Sequence, residues 1–299
     1  MLKKCVCFFA ILALCAIIGL GSCVVSVLPT ASAMPFYDLN PKEFCLRSKF
    51  FTGYSNSTPE RKNNVKVCAN ALNLTLVDVG GEFSFNKTVG ERTEKRGYKK
   101  AKIIVNGEFV DGVGGGVCQV SSTLYNALLL AGLEITEYHP HSLPVSYVAP
   151  SFDAMVNSGW ADLKFVNNTQ NPIVITADAD GNKLTVCIYG QPLEVRYERE
   201  SVITESISPP QDQVLVDDNG DYPDLFEGES MILRYGKAGY KSEGYIVAIS
   251  KNGRAKRKKI RSDKYGATRG IVVLGKAKRQ NENIEADRKS TFFPEWQDP

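Results

Sequence analysis

Four glycines within five positions, Gly112 and Gly114 to Gly116, stand immediately before an apolar run of helix-forming residues from Cys118 to Leu133. This junction constrains the fold more than any other feature of the 299-residue chain. Backbone without Cβ atoms can turn tightly and let a neighbour approach closely. The following residues, including Leu124, Ala127, Leu128, Leu129 and Ala131, favour a helix. Ser121, Ser122 or Thr123 is the expected cap, with Gly132 near the C-terminal end. The first N–H groups of a helix lack internal partners, and the helix dipole adds positive potential there. A thiol at Cys118 would therefore have a stabilised thiolate and act as a better nucleophile. Amides of Gly116 or Val117 would hold an oxyanion, and Gly115 and Gln119 border the same turn as substrate-binding candidates. The same geometry also suits non-covalent binding of a phosphate or carboxylate, or a glycine turn needed only for packing.

The rest of the chain predicts a mainly antiparallel α+β fold. Residues 35–59 read as polar and aromatic, with a loop at Ser55 to Pro59. Val65, Ala69 and Leu72 give residues 63–74 a helical spacing. Gly80-Gly81 ends that region, and β-like pieces begin at 82–85. Segments 101–105 and 108–110 form a predicted hairpin around Asn106-Gly107. Short β-type runs recur at 145–148, 163–166, 173–177 and 184–189, separated by turns such as Asn167-Asn168, a pattern of antiparallel sheet. Residues 191–227 loosen into an acidic linker. Residues 228–275 read as a small all-β module and 276–299 as a tail.

The N-terminus sets the compartment. Lys3 and Lys4 precede an apolar run from Cys5 to Leu28 that ends in Ala31-Ser32-Ala33. Residues 1–33 fit both a cleaved signal peptide and an N-terminal membrane anchor. Either way, the positive-inside rule places the remainder outside the cytoplasm. Cys45, Cys68, Cys118 and Cys187 then lie where disulfides persist. A Cys45–Cys68 bridge and reduced buried thiols are both open, and Cys187 within an apolar strand reads as a buried thiol. No C-x-x-C pair is present among them, so neither a metal site nor a cofactor is expected. The formal net charge of +3 includes the two leader lysines. That balance speaks against a nucleic-acid partner.

A thiol nucleophile needs a base, and the chain has only two histidines, His139 and His141. An extended Tyr138-His139-Pro140-His141 would point both rings to one face, toward a helix that begins at Cys118. Asp153 and Tyr147 are candidates for orienting an imidazole. The alternative is a pair of surface histidines in a proline-containing loop. Eleven Lys or Arg between Arg234 and Lys264, against Glu243 and Asp263, either attract anionic envelope polymers or form a solvated hairpin face.

These residues also form a recognisable string. Gly80-Gly81-Glu82-Phe83-Ser84-Phe85-Asn86, Val89-Gly90-Glu91-Arg92-Thr93, Gly97-Tyr98 and Gly114 through Ala127 resemble the VanW-like family. His141-Ser142, Val145, Tyr147, Asp153-Ala154 and Asp162 to Asn168 continue the likeness, which spans residues 44–190. Within the domain map this makes 37–190 a VanW-like domain. A weaker likeness joins residues 229–275 to extracellular G-five modules. The resemblance implies a Gram-positive envelope protein associated with glycopeptide resistance. It further implies L,D-transpeptidase activity, in which Cys118 attacks a peptidoglycan stem peptide and His141, more readily than His139, serves as base. The Ser-His-Gly-Cys-x-Arg signature of YkuD-type L,D-transpeptidases is not in the chain. A non-catalytic wall-binding module and a structural accessory to resistance are the competing expectations. The expected partners are stem peptides, the membrane through the N-terminal segment, and anionic wall polymers through the basic module.

Overall fold

The computed structural model describes residues 44–105 and 108–278. The leader, the tail beyond residue 278 and the Asn106-Gly107 turn lie outside the described residues. In chain order the first elements are β1 (Cys45–Gly53), α1 (Pro59–Leu72), β2 (Thr75–Val77), β3 (Glu82–Ser84) and α2 (Phe85–Val89). Then come β4 (Lys100–Val105), β5 (Glu108–Val113), α3 (Val117–Leu130), β6 (Glu134–Glu137), β7 (Lys164–Val166), β8 (Ile173–Ala179) and β9 (Lys183–Gly190). The last six are β10 (Val195–Ile207), β11 (Gln213–Val216), β12 (Ser230–Arg234), β13 (Gly239–Ser250), β14 (Ala255–Tyr265) and β15 (Ile271–Leu274).

The core is an antiparallel sheet of order β1-β9-β8-β2 covered by α1 and α3. Along β9, Leu184, Val186 and Ile188 alternate inward and are buried, so one face of the strand meets the helices. Leu124, Tyr125 and Leu128 of α3 and Val65 and Leu72 of α1 complete that core. Burying each such side chain contributes about 1.5–3 kcal/mol. A second sheet, β3-β7-β6, and the β4-β5 hairpin flank it. The α+β expectation and the hairpin both hold.

The loop at Ser55 to Thr58 stands where expected, ahead of α1, and the polar stretch before it contains an unexpected edge strand, Cys45–Gly53. Two local readings are corrected. The 145–148 run forms no strand. The stretch 191–227 is more than a linker. It supplies β10, which pairs along β13, and β11, which runs parallel to β15. The C-terminal part is thus two three-stranded sheets, β10-β13-β14 and β11-β15-β12. Much of its basic surface is neutralised across strands, with Arg257 on Glu200 and Lys259 on Glu243.

The predicted caps of α3 are also revised. The helix starts at Val117, one residue before Cys118, and Gly116 is its N-cap, with no side-chain cap. Ser121, Ser122 and Thr123 lie inside the helix, buried and bonded to backbone carbonyls one turn back. At the other end Gly132, at φ +69°, closes the helix as expected. Gly132 N–H donates to Leu129 O and Leu133 N–H to Leu128 O, a Schellman motif. All four described cysteines are free thiols, and Cys68 is fully buried in the core. Burial pushes its pKa up to about 12.

Candidate functional site

The turn before α3 needs glycine for two reasons. Gly116 sits at φ +109°, and a Cβ there would meet Val65 Cγ2 at 3.0 Å. At Gly115 a Cβ would strike Lys102 O at 2.7 Å. Left-handed backbone costs a non-glycine residue roughly 1–2 kcal/mol. Gly116→Ala is therefore expected to destabilise the protein by at least that much in chemical denaturation. An unchanged midpoint would show that the turn is slack.

This turn delivers Cys118, half-buried, into a cleft of about 740 Å³. Its Sγ donates to Val156 O at 3.5 Å. His141, which is 6% exposed, lines the same cleft. Its Nδ1 and its backbone N–H both donate to Asp153 Oδ2, each at 2.7 Å. A carboxylate only accepts, so Nδ1 carries the hydrogen and Nε2 is left for exchange with the thiol. Burial raises the Cys118 pKa, but the hydrogen bond and charge of His141 outweigh it, leaving the thiol below its ordinary value. Burial alone would lower the His141 pKa, yet bonds to Asp153 and Cys118 push it up to about 9. For Asp153 burial acts upward and the His141 and Arg261 neighbours act downward, with a net fall. The His141 contact thus eases ionisation of the thiol, while His141 and Asp153 favour the imidazolium and the carboxylate.

The other predicted residues divide. Tyr147 borders the cleft and meets the His141 ring edge-on at 6.5 Å. Burial, reinforced by the Cys118 charge, lifts its pKa well above the ordinary range, so it stays a neutral phenol. His139 does not line the cleft. It pairs with Glu137 at 3.0 Å and packs edge-on against Trp160. The Val117 amide is engaged with Gly114 O at 3.1 Å. Among the described residues no backbone acceptor meets the Gly116 or Cys118 N–H. Gln119 is 1% exposed, and its amide bonds Thr52 Oγ1, Gly53 O and Arg61 Nη2. It therefore anchors the arginine and leaves little for a substrate.

Several contributors were not expected. Ser122 Oγ accepts from Ala154 N at 2.9 Å and donates to Cys118 O at 2.7 Å, tying the start of α3 to the Asp153 segment. Arg61, Arg92, Lys102 and Lys237 line the cleft, and none of the lining residues is acidic. Arg61 donates to Ser57 Oγ and Gln119 Oε1, and Arg92 to Asn86 Oδ1 and Ser158 Oγ. These acceptors are all neutral, so Arg61 and Arg92 meet no carboxylate among the described residues, whereas Lys102 pairs with Asp111 at 3.1 Å. Arg92 lies within the motif quoted above, and its place there was the available signal.

Fold and site together define an α+β domain with a Cys–His–Asp constellation at a glycine-turned helix start, open to a cationic cleft. Residues 60–189 match the family model described as VanW like protein. These residues are thus similar to the VanW-like family over a single domain of the chain. It is 43% identical over 141 residues to the uncharacterized protein YoaR of Bacillus subtilis (strain 168), covering 47% of this chain and 46% of that protein. It is 32% identical over 139 residues to the vancomycin B-type resistance protein VanW of Enterococcus faecalis (strain ATCC 700802 / V583), covering 44% and 50%. The chain spans about half the length of these curated relatives. Among solved structures, 28% of the chain matches the IgA1 protease G5 domain at 24% identity and TM-score 0.18, over 93% of that chain. A second match, to HP0197-G5, has 23% identity and TM-score 0.15 and covers 28% of this chain and all of that one.

Proposed function

We propose that this protein is a cysteine acyltransferase acting on peptidoglycan stem peptides outside the cytoplasm, in the manner of an L,D-transpeptidase. The observation that carries the reading is the Cys118–His141–Asp153 arrangement, in which the acid, base and nucleophile roles are already separated by environment. The relative's association with vancomycin resistance supports a cell-wall setting. The Cys118 thiolate attacks the amide carbonyl carbon at the scissile bond. The Gly116 and Cys118 amides are the available donors for the oxyanion. As the C–N bond breaks, the His141 imidazolium gives its proton to the departing amine, leaving a thioester on Sγ. An acceptor amine then attacks the thioester and loses its proton to His141, and the thiolate departs. Water in place of the amine gives hydrolysis. Stem peptides carry carboxylates, which suit the arginines of the cleft.

Incubation with a wall tetrapeptide, followed by rapid acid quench and intact-mass measurement, is expected to trap an acyl group on the Cys118 peptide. If the peptide binds and no adduct accumulates or turns over, acyl transfer is the wrong reaction. A non-catalytic wall-binding role is favoured by one observation, the uncompensated Arg61 and Arg92. It predicts that alkylation of Cys118 leaves wall binding intact with no product ever formed. We further place anionic wall polymer at the C-terminal strands, where Lys256 and Lys258 have no carboxylate partner among the described residues.

A further inference from the structure

The loop carrying Tyr147 and Asp153 is gripped from two sides. On one, Asn126 of α3 donates to Phe152 O at 2.7 Å, and Ser122 holds the Ala154 amide. On the other stands the C-terminal sheet β10-β13-β14. Gly266 N–H, just past β14, donates to Ser142 O at 2.7 Å, Ser201 donates to Pro150 O at 2.8 Å, and the Ser242 and Ser151 hydroxyls pair at 2.7 Å. Two residues of β14 reach Asp153 itself. Tyr265 Oη donates to Asp153 Oδ1 at 2.5 Å. Arg261 Nη1 donates to Asp153 O at 2.6 Å, and Nη2 stands 3.4 Å from Oδ1.

We propose that Arg261 and Tyr265 are positioning residues of the Cys118 centre, so that the C-terminal sheet fixes the Asp153 carboxylate and, through it, the orientation of His141. Arg261, Asp263 and Tyr265 alternate along β14 and so share one face. Arg261 is 4% and Tyr265 1% exposed. Asp263 takes Arg261 Nε at 2.6 Å, which balances the guanidinium charge. Asp153 is then divided, with Oδ2 given wholly to His141 and Oδ1 to β14. A buried carboxylate that lost the Oδ1 donors would rotate or take up a proton. Either change withdraws the counter-charge from the imidazolium, and the thiolate then loses its partner. An interface that only holds two parts together has no need to converge on one oxygen of that carboxylate.

The inference rests on Cys118 and His141 being the reacting pair, and its test needs no wall substrate. The full chain in detergent is alkylated with iodoacetamide across a pH series, and the rate is read at the Cys118 peptide by mass spectrometry. Tyr265→Phe and Arg261→Met are each expected to move the midpoint upward by about one unit, a tenfold loss of thiolate below it. Arg261→Lys is expected to restore part of the shift. Ser242→Ala, which removes a contact in the same interface away from Asp153, is expected to keep the wild-type midpoint. In an Asp153→Asn background, Tyr265→Phe is expected to add nothing. The proposal is overturned if Tyr265→Phe and Arg261→Met keep the wild-type midpoint, if Ser242→Ala shifts it equally, or if the Tyr265 and Asp153 effects add. Shifted midpoints in the variants, with a wild type that makes no thioester, would leave the positioning intact and discard acyl transfer instead.

Discussion

Cys118→Ala is expected to lower crosslink formation by about 1,000-fold or more while the protein stays folded, because the covalent route loses its nucleophile. Cys118→Ser should rescue little. A serine hydroxyl has a far higher pKa than a thiol, and an imidazole already protonated beside it cannot serve as base. The melting temperature is expected to hold or rise in the alanine variant. On the proposed function Cys118 is kept half-buried for chemistry, and removing it relieves the desolvation cost of its ionised form. Muropeptide analysis of wall from cells expressing each variant, alongside thermal melts of the purified proteins, measures both halves. Equal crosslinking by Cys118→Ala and wild type would remove Cys118 from the chemistry.

Asp153→Asn is expected to cost about 100- to 10,000-fold in turnover, chiefly in kcat, by losing the tautomer and orientation of His141. The pH dependence carries the sign. In the wild type the thiolate forms below the ordinary thiol value, and the imidazolium persists until about pH 9. Activity should therefore rise as Cys118 ionises, level off, and fall as pH passes about 9 and His141 loses the proton it must give the leaving amine. Without the Asp153 charge, burial is opposed by Cys118 alone, and the His141 pKa falls. The basic limb then moves to lower pH, and the thiol limb to higher pH, as the imidazolium that supports it is lost. The active window narrows from both sides. A pH–rate profile for Asp153→Asn with both limbs in place would mean that the carboxylate acts only through packing.

The sequence was most legible where side-chain apolarity reports burial directly. The α3 helix and the strands β8 and β9 follow from Leu, Val and Ile at regular spacing. Strand β1 was opaque for a physical reason. Its most buried side chains are Ser48 and Thr52, and they face α3 through hydrogen bonds to Ala127 O and Thr123 Oγ1. A strand that buries hydroxyls shows no apolar alternation. Strand β10 was hidden differently, since Arg196, Glu198 and Glu200 are charged and few of its residues are deeply buried. At the site, Cys118, His141 and Asp153 were legible because glycines, two scarce histidines and a quoted motif singled them out. Arg261 and Tyr265 were not. They sit 108 and 112 residues from Asp153 in sequence. Local patterning carries no record of which distant carboxylate a strand face will meet.

That separation has a consequence for how the molecule comes into being. Chain growth proceeds at roughly 5–20 residues per second, so β14 is made about 5–20 s after Asp153. During that interval α3 and the main sheet already have the partners they need to fold, whereas the carboxylate behind His141 still lacks its two buried donors. On the proposed positioning role, a chain lacking β14 is expected to carry a thiol of more ordinary acidity, and full reactivity to arrive only with the final third of the polypeptide. A truncated product, from premature termination or proteolysis, would keep the helix and the glycine turn while remaining chemically subdued. If Arg261 and Tyr265 position Asp153 as proposed, the last strands act as a completeness check on the reactivity of Cys118.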